Sequence, residues 1–256
     1  MTERVGALLL AMGSSRQAGF DATWARLGGR PLLSRSLTAL VGSPLISRVA
    51  VVVASDRLGD ARRLALALGP VAVLSAGGYR AALAAGLEEL ADCGWLVLHD
   101  AARPLLDGEL LRLGLRAVTA TGAAVAALPA SETMKRVVDG AVVGTLPRVE
   151  LYSAQTPLIL GRRLLRSALR DAELDITDEA SLLACLAGRL RIFPGSAGNR
   201  KLTRPSDLER AEACLASGGG GQRRSPRPLS APLPPNPGGF EPPRIGGQGG
   251  ERRSAR

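Results

Sequence analysis

Aromatic side chains are scarce in this 256-residue chain, where Phe, Tyr and Trp together make up 3%. Proteins that hold single-stranded nucleic acid stack bases on such side chains, and here there is little to stack on. Histidine is scarcer still, with His99 alone, and Cys93, Cys185 and Cys214 lie far apart with no CxxC spacing. That argues against a zinc site and a disulfide framework, and suits a reduced cytoplasmic chain. The apolar run Gly6 to Met12 falls well short of the ~20 residues of a membrane helix. Glu3 beside Arg4 is a poor signal-peptide start, so neither membrane nor secretion is expected.

Lysine is nearly absent as well. Of 33 basic residues only Lys135 and Lys201 are lysine. A chain that uses arginine almost everywhere has a geometric reason for a compact ammonium at two places, unless the two are chance survivors. Both stand in polar clusters, "TMKR" and "NRKLTR", with Thr133, Arg136, Arg200, Thr203 and Arg204.

The net charge of +10 would point to nucleic acid if it covered a folded face. Half of it does not. The segment 218–256 carries seven Arg against Glu241 and Glu251 and is rich in Gly and Pro. It cannot bury a core and reads as a disordered basic tail. The remaining 1–217 makes one domain, mildly basic, which fits a small phosphorylated substrate as well as any nucleic acid.

Within that domain, short apolar runs alternate with amphipathic segments: "VGALLLA", "LLSRSLTALV", "SRVAVVVAS", "LGDARRLALAL", "VAVLS", "RAALAAGLEELAD", "WLVLHD". Continuous apolar strands belong to a sheet covered by helices on both faces, so the fold class is α/β, a doubly wound and mostly parallel Rossmann-like sheet. Ligands in such sheets sit beyond the carboxyl ends of the strands. The turns after Ala11, Ser75 and His99 are therefore the place to look.

After "GAAVAALPA" the pattern changes. "TMKRVVDGAVVGTLPR" reads as two short strands around Asp139-Gly140, a favoured two-residue turn. A lone ribbon is marginal in water, so this hairpin, about 133–149, must lean on something. A second subunit and its own domain are equally good supports on pattern alone. Further on, "LLRSALRDA" is helical, "TDEASLLACLAG" reads as a helix capped by Thr177, and "LRIFPG" as a strand. In the last helix, "RPSDLERAEACLA", Ser206 and Glu209 have capping-box spacing.

Three clusters carry candidate chemistry. In "HDAARP", Asp100 at a strand end can hold Mg²⁺ or a substrate hydroxyl, and Arg103 can grip a phosphate. A structural Asp-Arg pair shaping the turn explains the same letters. "PRVELYSAQTP" adds Arg148, Gln155 and Thr156, and "ITDEAS" adds Thr177, Asp178 and Glu179. Together they describe an arginine-rich polar pocket suited to a phosphorylated polyol.

In order and interval, "LHDAARP", "ETMKR", "AQTP", "TDEAS" and "KLTRPSDL" resemble the 2-C-methyl-D-erythritol 4-phosphate cytidylyltransferase family of the non-mevalonate isoprenoid pathway. The likeness covers about residues 5 to 216. It implies an enzyme that joins CTP to the sugar-alcohol phosphate with Mg²⁺ and releases pyrophosphate. It also implies a homodimer whose hairpin arm helps to form the partner's site. By the same resemblance, Asp100, Arg103, Thr133, Arg148, Thr156 and Thr177 hold the sugar phosphate, Thr133 and Arg148 from the neighbouring arm, with Asp100 close to the metal. Arg16 and Lys201 face the reacting phosphates, and Ala11, Met12, Gly13, Gly77, Gly78 and Ala101 line the nucleotide side. A non-catalytic dimeric homologue that binds a sugar phosphate or a partner enzyme, or an enzyme for another polyol phosphate such as ribitol 5-phosphate, are the alternatives.

The first loop departs from the family. The family has a Gly-rich turn with an arginine, then a Pro-Lys pair before "LGG"; here Ser15 replaces a glycine, Arg16 stays, and the pair falls on Asp21-Ala22. The lysine that grips the triphosphate is missing at Ala22, and a serine near the cytidine is missing at Ala82. Losing one charge-assisted contact to a transferring phosphate removes about 3 to 4 kcal/mol of transition-state stabilisation, or 10² to 10³ in rate. Weakened CTP binding is the expectation, unless Arg16, Arg26 or Arg30 compensates.

Overall fold

The computed structural model describes residues 3–13 and 20–216. Arg16, Ser15 and the tail 218–256 lie outside them.

Seven strands form the central sheet in the order β11-β7-β10-β6-β1-β4-β5. Their ranges are β1 Val5–Ala11, β4 Arg48–Val53, β5 Val71–Ser75, β6 Trp95–Asp100, β7 Ala123–Pro129, β10 Tyr152–Gly161 and β11 Leu190–Pro194. Short strands β2 (Arg26–Leu27) and β3 (Arg30–Pro31) pair with each other. Around β1 every pairing is parallel, Leu9 facing Val51 on one side and His99 on the other. Only β10 runs backwards, antiparallel to both β6 and β7.

The continuous apolar runs have the cause expected for them. Leu9 of β1 packs into one core layer with Leu33, Leu37 and Leu40 of α1 (Leu32–Val41) and Leu110 and Leu111 of α4 (Gly108–Ala117). Its neighbour Leu8 joins the opposite layer with Leu83 and Leu87 of α3 (Tyr79–Glu89), Leu165 of α5 (Arg162–Arg170) and Leu182 of α6 (Glu179–Cys185). Both faces of each strand are buried, so alternation is lost. Helix α3 sits so close that a Cβ on Gly86 would clash with the Leu8 side chain. Helix α2 (Leu58–Leu66) covers the far edge, and α7 (Pro205–Ala216) closes over β2 and β3 through Ala211, Leu27 and Leu202.

The hairpin consists of β8 (Lys135–Val138) and β9 (Ala141–Thr145), turning at Asp139 and Gly140 with φ of 47° and 79°. Positive φ at both positions is what a type I′ turn requires. Every residue from Ser131 to Thr145 is exposed. Among the described residues, nothing of its own domain covers the ribbon.

Two helix starts lie elsewhere than the sequence pattern placed them. Asp178, not Thr177, caps α6: its Oδ1 accepts from Ser181 N at 2.8 Å, while Ser181 Oγ accepts from Asp178 N at 3.0 Å. Asp is the stronger cap, and one residue of shift leaves the Thr177 hydroxyl out of the capping bonds. At α7, Asp207 replaces Ser206 and Glu209 in that role, because its Oδ2 accepts from Thr203 N and Arg204 N at 3.0 and 3.1 Å. No described helix is long and apolar enough to cross a membrane.

Candidate active site

One cavity of about 720 Å³ opens at the carboxyl end of the parallel strands. Three turns meet there, bringing Met12 and Gly13 after β1, Gly77, Gly78 and Tyr79 after β5, and Asp100, Ala102 and Arg103 at the end of β6. Thr156 comes from β10, Thr177, Asp178 and Glu179 from the start of α6, and Lys201 from the loop before α7.

Lys201 Nζ lies 2.6 Å from Asp100 Oδ2, with the Asp100 side chain 18% exposed. The other oxygen, Oδ1, accepts from Ala102 N at 2.9 Å. The carboxylate is thus fixed by its own turn and leans on the one lysine that reaches the cavity. Lys135, the other lysine, donates to Thr145 Oγ1 across the hairpin at 2.6 Å. The two survivors of the arginine bias therefore have different roles.

Arg103 is 8% exposed. Its Nη1 donates to the Asn199 carbonyl at 3.0 Å and its Nη2 to Ala154 at 3.5 Å, while Nε is buried with no hydrogen-bond partner. Burial pulls its pKa down, and the nearby Glu179 and Asp100 carboxyls oppose that. Asn199 in turn donates from Nδ2 to the Thr156 carbonyl at 2.6 Å, tying β10 to the loop that carries Lys201.

His99 sits behind this wall, fully buried. Its Nε2 lies 3.0 Å from the Arg103 carbonyl, which can only accept, so Nε2 carries the hydrogen. Burial pushes the imidazole down to about 4, so the ring is neutral and Nδ1 is bare. Thr156 Oγ1 then donates to Nδ1 at 2.9 Å and accepts from Asp100 N at 3.1 Å. The threonine, the histidine and the "DAAR" turn form one hydrogen-bonded unit. This pairing spans 57 positions, and sequence reading had given His99 no role.

Other candidates fall as follows. Thr133 and Arg148 stand on the exposed arm, where Arg148 donates to the Ser131 carbonyl at 3.2 Å. Ala101 is fully buried, its N–H bonded to Leu10 and its carbonyl to Ser36 Oγ; the residue of that turn on the cavity wall is Ala102. Ala11 and Ala82 are also buried, at 4% and 0% exposure. Arg26 donates to the Gly29 carbonyl and Arg30 to Ser34 and Thr38 of α1, and neither is among the residues that line the cavity. Ala22 itself is 1% exposed. Thr23 lines the cavity beside it, a residue the sequence did not single out.

Among the described lining residues the cations are Arg103 and Lys201, against the carboxyls of Asp100, Asp178 and Glu179. No cluster of three or more metal-ligating side chains occurs among the described residues. Glu179, which the "ITDEAS" segment assigns to the polar pocket, lines it, and Tyr79, to which the sequence assigns no role, lines it as well. Burial raises the pKa of Glu179, relieved by Arg103 and Lys201 and reinforced by Asp100 and Asp178.

The profile of the 2-C-methyl-D-erythritol 4-phosphate cytidylyltransferase family matches residues 5–217. The chain is 39% identical over 224 residues to the protein of that name from Dehalococcoides mccartyi, covering 85% of this chain and 99% of that one. It is 38% identical to part of the bifunctional enzyme IspD/IspF of an Anaeromyxobacter species, covering 83% of this chain and 58% of that one. Among solved structures, 2-C-methyl-D-erythritol 4-phosphate cytidylyltransferase from Thermus thermophilus superposes with a TM-score of 0.67 at 27% identity, over 82% of this chain and 98% of that one. A 4-diphosphocytidyl-2C-methyl-D-erythritol synthase from Anaerococcus prevotii gives a TM-score of 0.73 at 22% identity, over 84% and 99%, a likeness of fold. A cavity built from the "DAARP", "AQTP", "TDEAS" and "NRKL" segments, on a sheet of this topology and with this sequence match, places the chain in the 2-C-methyl-D-erythritol 4-phosphate cytidylyltransferase family.

Proposed function

We propose that this enzyme transfers the cytidylyl group of CTP to 2-C-methyl-D-erythritol 4-phosphate and releases pyrophosphate, in isoprenoid precursor synthesis in the cytoplasm. The observation that carries the reading is the meeting of Asp100, Arg103, Thr156, Thr177 and Lys201, from four separate segments, with the Gly13 and Gly77-Gly78 turns in one cavity.

The reaction needs no covalent intermediate and no general base, since a phosphate monoester is largely ionised at neutral pH. Its oxygen attacks the α-phosphorus in line, so the protein's work is alignment and charge stabilisation. Arg103, locked by two carbonyls, offers a fixed positive charge to the polyol phosphate. Lys201 swings from Asp100 toward the α-phosphoryl as charge builds there. Thr156, held by His99, fixes the Asp100 backbone, and Thr177 offers a hydroxyl at the pocket edge.

Asp100 alone suits a hard cation that is otherwise held by substrate phosphates and water, the usual situation of Mg²⁺. Bound there, Mg²⁺ would neutralise charge on the triphosphate and the leaving pyrophosphate. More positive charge is still needed, because two cations face three carboxyls on the described wall. Arm residues Lys135, Arg136 and Arg148 are exposed and supply it from a second copy in the proposed homodimer. The exposed Met134, Val137, Val138, Val142 and Val143 give the partner an apolar surface to cover. Arg16 serves the triphosphate, and with no lysine at position 22 CTP binding is weak. Pyrophosphate release from CTP, the sugar-alcohol phosphate and Mg²⁺ tests the proposal; no release at any CTP concentration overturns it.

A further inference from the structure

Glu179 is out of place in a pocket meant for two phosphate compounds. Its side chain lines the cavity, only partly exposed, and makes no hydrogen bond or ion pair to the described residues within bonding distance. A carboxyl partly withdrawn from water with no donor beside it gives up some hydration without compensation. The fold keeps it there nonetheless, with the buried guanidinium of Arg103 and the ammonium of Lys201 as its attractive neighbours.

Its position follows from the cap of α6. Asp178 gives Oδ1 to Ser181 N as the cap, and Glu179, the first helical residue, faces the cavity. Asp100 is committed on both oxygens, to Ala102 N and to Lys201. Among the described lining carboxyls, Glu179 is the one with neither oxygen committed. A phosphate cannot supply the missing donor, whereas a hydroxyl can.

We propose that Glu179 is a specificity-determining residue that accepts hydrogen bonds from the hydroxyl groups of the polyol phosphate, while Arg103 takes the phosphate. This inference rests on the functional reading above. A carboxyl held above its ordinary pKa by burial suits the task, since a hydroxyl can donate to the ionised form and accept from the protonated one. Burial also raises the nearby Tyr79 phenol, which keeps that residue neutral. The merely structural alternative makes Glu179 a counter-ion that steadies Arg103, indifferent to what the ligand carries besides phosphate.

The test compares dissociation constants of 2-C-methyl-D-erythritol 4-phosphate and of butyl phosphate, which has the phosphate and no hydroxyls, for the full-length wild type, Glu179→Gln and Glu179→Ala. Glu179→Ala is expected to weaken the polyol phosphate by about 10- to 100-fold, the range for a lost charge-assisted hydrogen bond. Butyl phosphate should change by less than roughly 2-fold, and Glu179→Gln, which keeps a neutral acceptor, should fall between. KM for the polyol phosphate should rise in step while KM for CTP stays fixed. Equal weakening of both phosphates, no change in either, or a rise confined to KM for CTP overturns the inference. A wild type that binds both phosphates but makes no pyrophosphate overturns the functional reading instead, and the binding comparison still judges Glu179.

Discussion

Arg57 at the foot of α2 donates from Nη2 to Asp21 Oδ2 at 3.2 Å, with its guanidinium 5.5 Å from the centre of the Trp24 ring. Asp21 is thus an anchor for the segment that follows the first loop. Ala22 beside it is sealed from solvent. Restoring lysine should therefore spare Asp21. Ala22→Lys alone is expected to lower KM for CTP by roughly 10-fold, toward the contact the family uses, while overpacking lowers stability by about 1–3 kcal/mol. Steady-state kinetics and urea unfolding read the two effects separately, and a KM that does not fall removes the case for a missing grip.

Lys201 is expected to carry the larger share of the catalytic charge. Lys201→Ala should lower kcat by about 10²- to 10³-fold without loss of stability, since its partner Asp100 keeps the Ala102 bond. Lys201→Arg should fail to rescue, because a planar fork cannot follow a single point from carboxylate to phosphoryl oxygen. Pyrophosphate release under saturating substrates is the measurement, and a kcat within roughly 3-fold of wild type would assign the role elsewhere.

His99 makes a prediction in pH. Its folded pKa of about 4 lies below the ordinary 6.5, so between those values the unfolded chain binds the extra proton. The stability it confers is fully present above pH 6.5, falls as pH drops, and is lost through pH 4, with an amplitude on the order of 3 kcal/mol. His99→Gln should lose this part of the slope between pH 7 and 5 in urea unfolding. A wild-type slope identical to the variant's would mean that the histidine is not buried neutral.

How much of this was legible in the sequence depends on the range of the interaction. The type I′ hairpin was readable because Asp139-Gly140 sets its own dihedrals, and the sheet because strands buried on both faces lose their alternation. The cavity position followed from topology alone. The cap of α6 is Asp178 rather than Thr177 and the residue on the cavity wall is Ala102 rather than Ala101, since a motif fixes a segment but not which side chain in a tight turn takes a given place. The His99–Thr156 bond depends on pairing between distant strands, and no local pattern carries that.

The arm gives the last prediction. Arg148 stands on an exposed ribbon, whereas Lys201 lies in the cavity of its own chain. If the arm completes the site of a second copy, Arg148→Ala and Lys201→Ala each inactivate a pure dimer through different chains. A mixed dimer then contains one site built from an intact cavity and an intact arm. Mixing equal amounts of the two inactive variants after mild dissociation should restore roughly a quarter of wild-type activity, because half of the reassorted dimers are mixed and each has one good site. The pyrophosphate assay measures it directly. No recovery, with exchange verified by a tagged subunit, would mean that Arg148 serves its own chain or none, and the arm would then need another reason to hold its valines in water.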